Sequence, residues 1–137
     1  GSSIKSISIP SSITIIKKGT FSFCVYLKKV EIPSDSKHQV IEGLSFRTAA
    51  IEKITITSQI TIIESNAFYN CKNLRSIEIS DDSKLQIIDK EAFYGTSITY
   101  FTIQSQLKQI GEKAFFYCVN LQIVEISVHS QIEISVH

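Results

Sequence analysis

Apolar residues recur along this chain in two interlocked ladders. In the first, apolar positions lie at offsets of three and five residues from the start of six segments: Ile4/Ile7/Ile9, Leu27/Val30/Ile32, Ile51/Ile54/Ile56, Leu74/Ile77/Ile79, Ile98/Phe101/Ile103 and Leu121/Val124/Ile126. Their starts are separated by 23, 24, 23, 24 and 23 residues. In the second ladder a short apolar stretch ends at Ile16, Ile41, Ile63, Ile88 and Ile110. A phenylalanine follows five residues after each: Phe21, Phe46, Phe68, Phe93 and Phe115. Self-similarity at this period marks a solenoid, whose units are too thin to bury an apolar face alone and stack to share one.

Each repeat predicts the same elements. A segment such as 27–32 ends in period-two alternation with β-favouring residues, which reads as a strand. Pro10 and Pro33 follow two of these strands, where a missing N–H does least harm. A second short strand follows, as at 60–63, and then one helical turn, as at 64–68. Glu42, Glu64 and Asp89 stand where that turn begins and suit its positive end. At a strand spacing of ~4.8 Å, the stack spans roughly 25 to 30 Å.

Repeats alternate in kind, and the larger unit is 47 residues. Odd repeats have a short turn after the first strand (residues 57–59 and 104–106), even ones a longer polar turn (34–37 and 81–84). Odd repeats also carry a cysteine three residues after the phenylalanine, at Cys24, Cys71 and Cys118, where even repeats have Ala49 and Thr96.

A strand, a second apolar strand, then Ala-Phe-x-x-Cys-x-x-Leu resembles the BspA-like, treponemal-type leucine-rich repeats. Residues 67–74 and 114–121 carry the motif in full, and the first repeat matches in Phe21, Cys24 and Leu27 with Thr20 for alanine. The resemblance covers residues 4–134. Two departures stand out. The glycine that often follows the second-strand isoleucine survives only as Gly111, and His38 occupies the place of Leu85 one unit later. The resemblance implies a right-handed leucine-rich-repeat solenoid with a parallel β-sheet on its concave face and short strands and helical turns behind. It also implies a cell-surface or secreted protein of a bacterium or parasitic protist, adhering to host proteins or other cells.

A net charge of +1 gives no basic footprint for nucleic acid and little attraction to an anionic membrane. No apolar run approaches the ~18 to 20 residues that span a bilayer, so this segment is not expected to insert directly. Cysteines in this register lie two rungs or ~10 Å apart, beyond disulfide reach, and no close pair suits zinc. Buried free thiols in a core place are the expectation, with no metal and no cofactor. His38, His129 and His137 have no partner at helical spacing, and no phosphate loop, nucleophile motif or carboxylate dyad appears, so the chain reads as a scaffold and not an enzyme.

Candidate contacts lie in columns. Between the apolar positions of the first strands stand Ser8, Glu31, Thr55, Glu78, Thr102 and Glu125, glutamates alternating with hydroxyls. This column suits the basic groups of a ligand, and the same alternation keeps like charges off adjacent strands. The neighbouring column is Ser6, Lys29, Lys53, Ser76, Tyr100 and Ile123, which passes from basic to aromatic and apolar. Tyr100 and Ile123 are its candidate anchors. A third column follows the core phenylalanines: Ser22, Arg47, Tyr69, Tyr94 and Phe116. It reads either as an outer aromatic stripe or as rings that shield the turns and pack on one another.

Protein binding through the concave sheet is the leading expectation, with Lys29, Glu31, Lys53, Thr55, Glu78, Tyr100, Thr102, Ile123 and Glu125 as contacts. A structural spacer that holds another domain away from the surface is the alternative. Residues 1–3 read as a tag remnant, and 4–137 as one repeat domain whose repeats start at 4, 27, 51, 74, 98 and 121, the last incomplete, from a longer protein. Unpolar-capped ends expose strand edges and apolar surface, which predicts end-to-end self-association. Sedimentation at rising concentration should show dimers; a strict monomer throughout would refute this.

Overall fold

A computed structural model describes residues 3–126 and 133–134, with two parallel strands per rung. The first ladder gives β1 (Ser6–Ser8), β3 (Lys29–Glu31), β5 (Lys53–Ile56), β7 (Ser76–Ile79), β9 (Tyr100–Ile103) and β11 (Ile123–Ile126). The second gives β2 (Ile15–Ile16), β4 (Val40–Ile41), β6 (Ile62–Ile63), β8 (Ile87–Ile88), β10 (Gln109–Ile110) and β12 (Glu133–Ile134).

The shorter strands make the longer sheet. β2, β4, β6, β8, β10 and β12 pair in sequence as one six-stranded parallel sheet. The first-ladder strands divide instead into a four-stranded sheet, β1-β3-β5-β7, and a two-stranded one, β9-β11. Between them lies the core, in which Phe46, Phe68 and Phe93 are fully buried together with Ile41, Ile54, Ile56 and Ile63.

Phenylalanines stack from rung to rung. Ring centroids from Phe21 to Phe46 to Phe68 to Phe93 are each 5.1 Å apart, and Phe93 to Phe115 is 5.5 Å. This separation is close to the strand spacing, so one aromatic column and two sheets share a single repeat distance. A ring can hold that register only where the backbone beside it also pairs with the next rung. Phe46 N–H donates to Ala67 C=O at 2.8 Å, Phe68 N–H to Ala92 C=O at 2.7 Å, and Phe93 N–H to Ala114 C=O at 2.8 Å.

Those bonds explain why no helix forms among the described residues where one helical turn is predicted. In residues 64–71 the N–H groups alternate in direction. Ala67, Tyr69 and Cys71 donate within their own rung to Glu64, Asn66 and Phe68. Asn66, Phe68 and Asn70 donate to Lys90, Ala92 and Tyr94 of the next. A helix would satisfy all of them internally. The alternation requires left-handed residues at fixed places, and Asn66 (φ 61°) and Asn70 (φ 57°) fit the preference for that region. Other rungs place poorer residues there: Phe23, Leu44, Thr48, Glu91, Lys113 and Tyr117 all have φ between 55° and 61°. These successive turns replace the predicted helical turn.

Two of the acidic residues at the start of a turn work across rungs and not on a helix dipole. Glu42 accepts from Lys18 N–H at 2.8 Å, and Glu64 accepts from Gly43 N–H at 2.9 Å. Asp89 is one methylene shorter and accepts from its own neighbour, Lys90 N–H, at 2.7 Å. Above it, a Cβ on Gly111 would come within 2.5 Å of that same Lys90 nitrogen, which accounts for the glycine there.

His38 is wholly buried in the place of Leu85. Its Nδ1 meets Ser36 Oγ at 2.7 Å, while Nε2 is buried without a partner. Burial lowers its pKa below the ordinary 6.5. The unfolded chain therefore binds a proton more readily than the folded one. Stability is full above about pH 6.5 and falls as the pH drops through that value. His38→Leu should stabilise the fold by about 1 to 3 kcal/mol through loss of the orphaned nitrogen, and should flatten the acid side of the profile. Urea unfolding at neutral and mildly acid pH measures both, and an unchanged pH slope would refute the assignment.

Candidate functional site

On the first-ladder strands, alternate side chains point away from the core, and the expected columns gather on one face. Lys29, Glu31, Lys53, Glu78 and Tyr100 are exposed there, with Thr55 and Thr102 half-buried between them. The carboxylates are already engaged. Lys29 Nζ lies 2.8 Å from Glu31 Oε1, and Lys53 Nζ lies 2.8 Å from Glu78 Oε1. Ser8 and Thr55 hydroxyls donate to the same two glutamates over a longer 3.5 Å. The hydrogen bond and charge of Lys29 hold the Glu31 carboxyl below the ordinary carboxylate value. Exposed pairs of this kind add little to stability, so their main effect is to fix where charge stands on the face. Lys29 and Lys53 are directly opposite in the strand register, a like-charge pairing that the two glutamates relieve. Ile123 and Glu125 fall opposite Tyr100 and Thr102 in the β9–β11 register, and their side chains lie outside the described residues.

The face is not a uniform sheet, and this escaped the sequence reading. β1 and β3 pair over three residues, β5 and β7 over four, and β9 and β11 over four. Between those couples pairing nearly vanishes: β3 meets β5 only at Lys29–Lys53, and β7 and β9 belong to different sheets. Phe101 lies at the second break. It is buried at the place that holds Ile7, Val30, Ile54 and Ile77 elsewhere, and its ring packs 4.9 Å from Phe115 and 6.3 Å from Phe93. The larger ring stands at the junction where β9 and β7 part into different sheets. In consequence Ile77 and Ile79 are partly exposed, while Ile54 and Ile56 are buried. Each break opens a cleft, of about 440 Å³ between β3 and β5 and about 470 Å³ between β7 and β9.

Along the turns, the outer aromatic column packs on itself. Tyr69 and Tyr94 stack at 4.7 Å, Phe116 tilts against Tyr94 at 5.8 Å, and the Arg47 guanidinium lies 6.0 Å from the Tyr69 ring. The column is longer than its sequence offset shows. Arg47 also sits 5.1 Å over Phe23, and Tyr117 meets Tyr94 edge-on at 5.4 Å. Both added rings are one residue out of the repeat register, which is why periodicity passed over them.

The cysteines are free, Cys71 buried and Cys24 and Cys118 partly so. Cys71 Sγ donates to Phe46 C=O of the rung below at 2.8 Å, and Cys118 Sγ to Phe93 C=O at 3.1 Å. The thiol is thus an inter-rung donor as well as a small core group. Among the described residues no group of three or more His, Cys, Asp or Glu side chains is placed to hold a metal ion. Among them also, no helix is long and apolar enough to cross a membrane.

The sequence pattern of the family described as "BspA type Leucine rich repeat region" matches residues 1–133 in six copies. No curated protein sequence matches the chain. Among solved structures, the pneumococcal vaccine antigen PcpA superposes with a TM-score of 0.87 at 28% identity, covering 91% of this chain and 31% of that one. A leucine-rich cell surface protein from Faecalibacterium prausnitzii gives 0.65 at 23% identity, covering 93% and 39%. A leucine-rich repeat protein from Bacteroides capillosus gives 0.62 at 20% identity, covering 93% and 78%. The chain thus spans about a third of the first of these proteins, and the two below 25% identity speak for the fold alone.

Burial pushes the Cys71 thiol up to about 12. Only the thiolate is nucleophilic, so Cys71 should stay unmodified by a maleimide at pH 8 in the native protein and react once urea unfolds it. Peptide mapping showing native-state labelling of Cys71 would contradict its placement.

Proposed function

The chain belongs to the BspA-type leucine-rich repeat family, and from that premise we propose that it is a protein-binding scaffold displayed at a cell surface. On this reading the first-ladder strands present the concave binding face, and the ligand is a host protein or a protein on another cell. What carries it is the exposed Lys29, Glu31, Lys53, Glu78 and Tyr100 on one face, with Thr55 and Thr102 between them. Tyr100 is 42% exposed beside Glu78 and Asp81, and an exposed tyrosine is a favoured anchor in protein interfaces. The ion pairs preposition the charges, which favours specificity and encounter rate. PcpA is named as a vaccine antigen, which agrees with a surface location here. Ile123 and Glu125 complete the proposed face through their register with Tyr100 and Thr102.

The first rung adds a self-association surface to this proposal. Its outer side is an apolar hollow of about 290 Å³ lined by Ile7, Ile9, Ile13 and Ile15, suited to a further rung or a second copy.

The test is biolayer interferometry against a panel of host matrix and cell-surface proteins at physiological salt. The comparison protein carries Glu31→Lys, Glu78→Lys and Tyr100→Ala, with its fold checked by circular dichroism. Saturable binding that falls at least about tenfold in the variant is the expected result, since loss of one anchor commonly costs more than 1.4 kcal/mol. Binding retained in the variant would move the site to Tyr69, Tyr94 and Phe116. Absence of any binding across the panel would favour the spacer alternative.

A further inference from the structure

The two clefts of the strand face are copies of one another. Moving by the 47-residue unit takes Val30, Glu31, Ile32, Lys53 and Thr55 onto Ile77, Glu78, Ile79, Tyr100 and Thr102, and each residue lines its own cleft. Their volumes agree closely, at about 440 and 470 Å³. Each opens where an even strand fails to pair fully with the odd strand after it, so each is floored by strand edges whose N–H and C=O groups face one another without a complete ladder. Two rungs separate them, which is about 10 Å at the strand spacing.

Charge distinguishes the copies. The first cleft is lined by Lys28, Lys29 and Lys53; Lys29 is paired with Glu31 and Lys53 with Glu78, which leaves Lys28 as its uncompensated charge. The second is lined by Glu78, already held by Lys53 of the neighbouring strand, and by Asp81, its uncompensated charge, together with Tyr100 and Gln104. The face therefore offers one positive and one negative socket, set along the solenoid axis.

A polyproline-II segment matches this spacing. It advances about 3.1 Å per residue with three residues per turn, so side chains three positions apart lie on the same side, about 9.3 Å from each other. A β-strand does not match, because residues three apart point to opposite faces. A polyproline-II backbone also leaves its own polar groups free, and these can meet the unpaired strand edges at the cleft floors.

Resting on the protein-binding reading above, we propose that the strand face recognises a polyproline-II segment of its protein partner carrying an acidic and a basic side chain three positions apart, the acid in the β3–β5 cleft and the base in the β7–β9 cleft.

The probes are short, fluorescein-labelled, proline-rich peptides containing Glu-Pro-Pro-Lys or Lys-Pro-Pro-Glu. Controls carry Glu-Pro-Pro-Glu, Lys-Pro-Pro-Lys, or the opposite charges two positions apart. Anisotropy titration should show at least one mixed-sign peptide binding about tenfold tighter than every control, with affinity falling as salt rises. The double variant Lys29→Glu with Lys53→Glu makes both sockets acidic and should switch preference to Lys-Pro-Pro-Lys. If that variant fails to fold, Thr102→Arg, which intrudes on the second socket, should lose the mixed-sign peptide about tenfold without changing thermal unfolding. Equal binding of all peptides, no binding of any, or loss without a switch in the folded double variant would overturn the proposal. Should the peptides fail while a panel protein still binds and is lost in the triple strand-face variant, the paired sockets are rejected and the protein-binding face stands.

Discussion

Half of the N–H groups in each turn must leave their own rung, and that constraint organises the rest of this solenoid. Asn66, Phe68 and Asn70 donate upward to Lys90, Ala92 and Tyr94, and these bonds set the rungs at the distance at which phenylalanine rings stack. With the rings at 5.1 Å, the core is a column of repeating contacts. The six short strands fall into the same spacing and make the unbroken spine. Left-handed residues follow from the same requirement, because alternate N–H groups can point both ways only if the chain reverses its local twist. Asparagine and glycine accept that conformation cheaply, whereas Thr48, with its branched β-carbon, does so at a cost of about 1 to 2 kcal/mol.

Much of this was readable in the residues. The paired ladders placed all six first-ladder strands and the first five second-ladder strands, because apolar burial at a fixed period is what both the sequence and the stack must satisfy. Cys71 was rightly placed as a buried free thiol, although its bond to Phe46 C=O was not foreseeable from a side chain usually read as apolar. The predicted helical turn gave way to successive turns because single-sequence signals describe bonding within a segment, and here half the bonding is between segments. Glu42 and Glu64 showed the same failing: the residue type was right for capping a backbone nitrogen, but the nitrogen belongs to the rung below.

The strand face illustrates a different limit. Its columns were assigned from alternation alone, and Lys29, Glu31, Lys53, Glu78 and Tyr100 do share one surface. What alternation could not supply was which strands pair. Phe101 counts as one more apolar position in a periodic reading, yet its ring packs against Phe115 at the junction where β9 joins β11 and not β7. The 47-residue unit, visible in the cysteines and in the turn lengths, proves to be a unit of pairing as well: strands couple odd to even, and the couples are loosely joined.

That loose joining bears on how the molecule carries load. Inter-rung hydrogen bonds lie along the solenoid axis, so a pull on its two ends is resisted by the spine, the turns and the strand face together. Between β7 and β9 the strand face has no ladder, only the Ser97 N–H to Leu74 C=O bond just ahead of the strands, and resistance there falls mainly to the other two sides. A protein tethered in flow would stretch first at that junction, on one flank only, and so would bend before it tore.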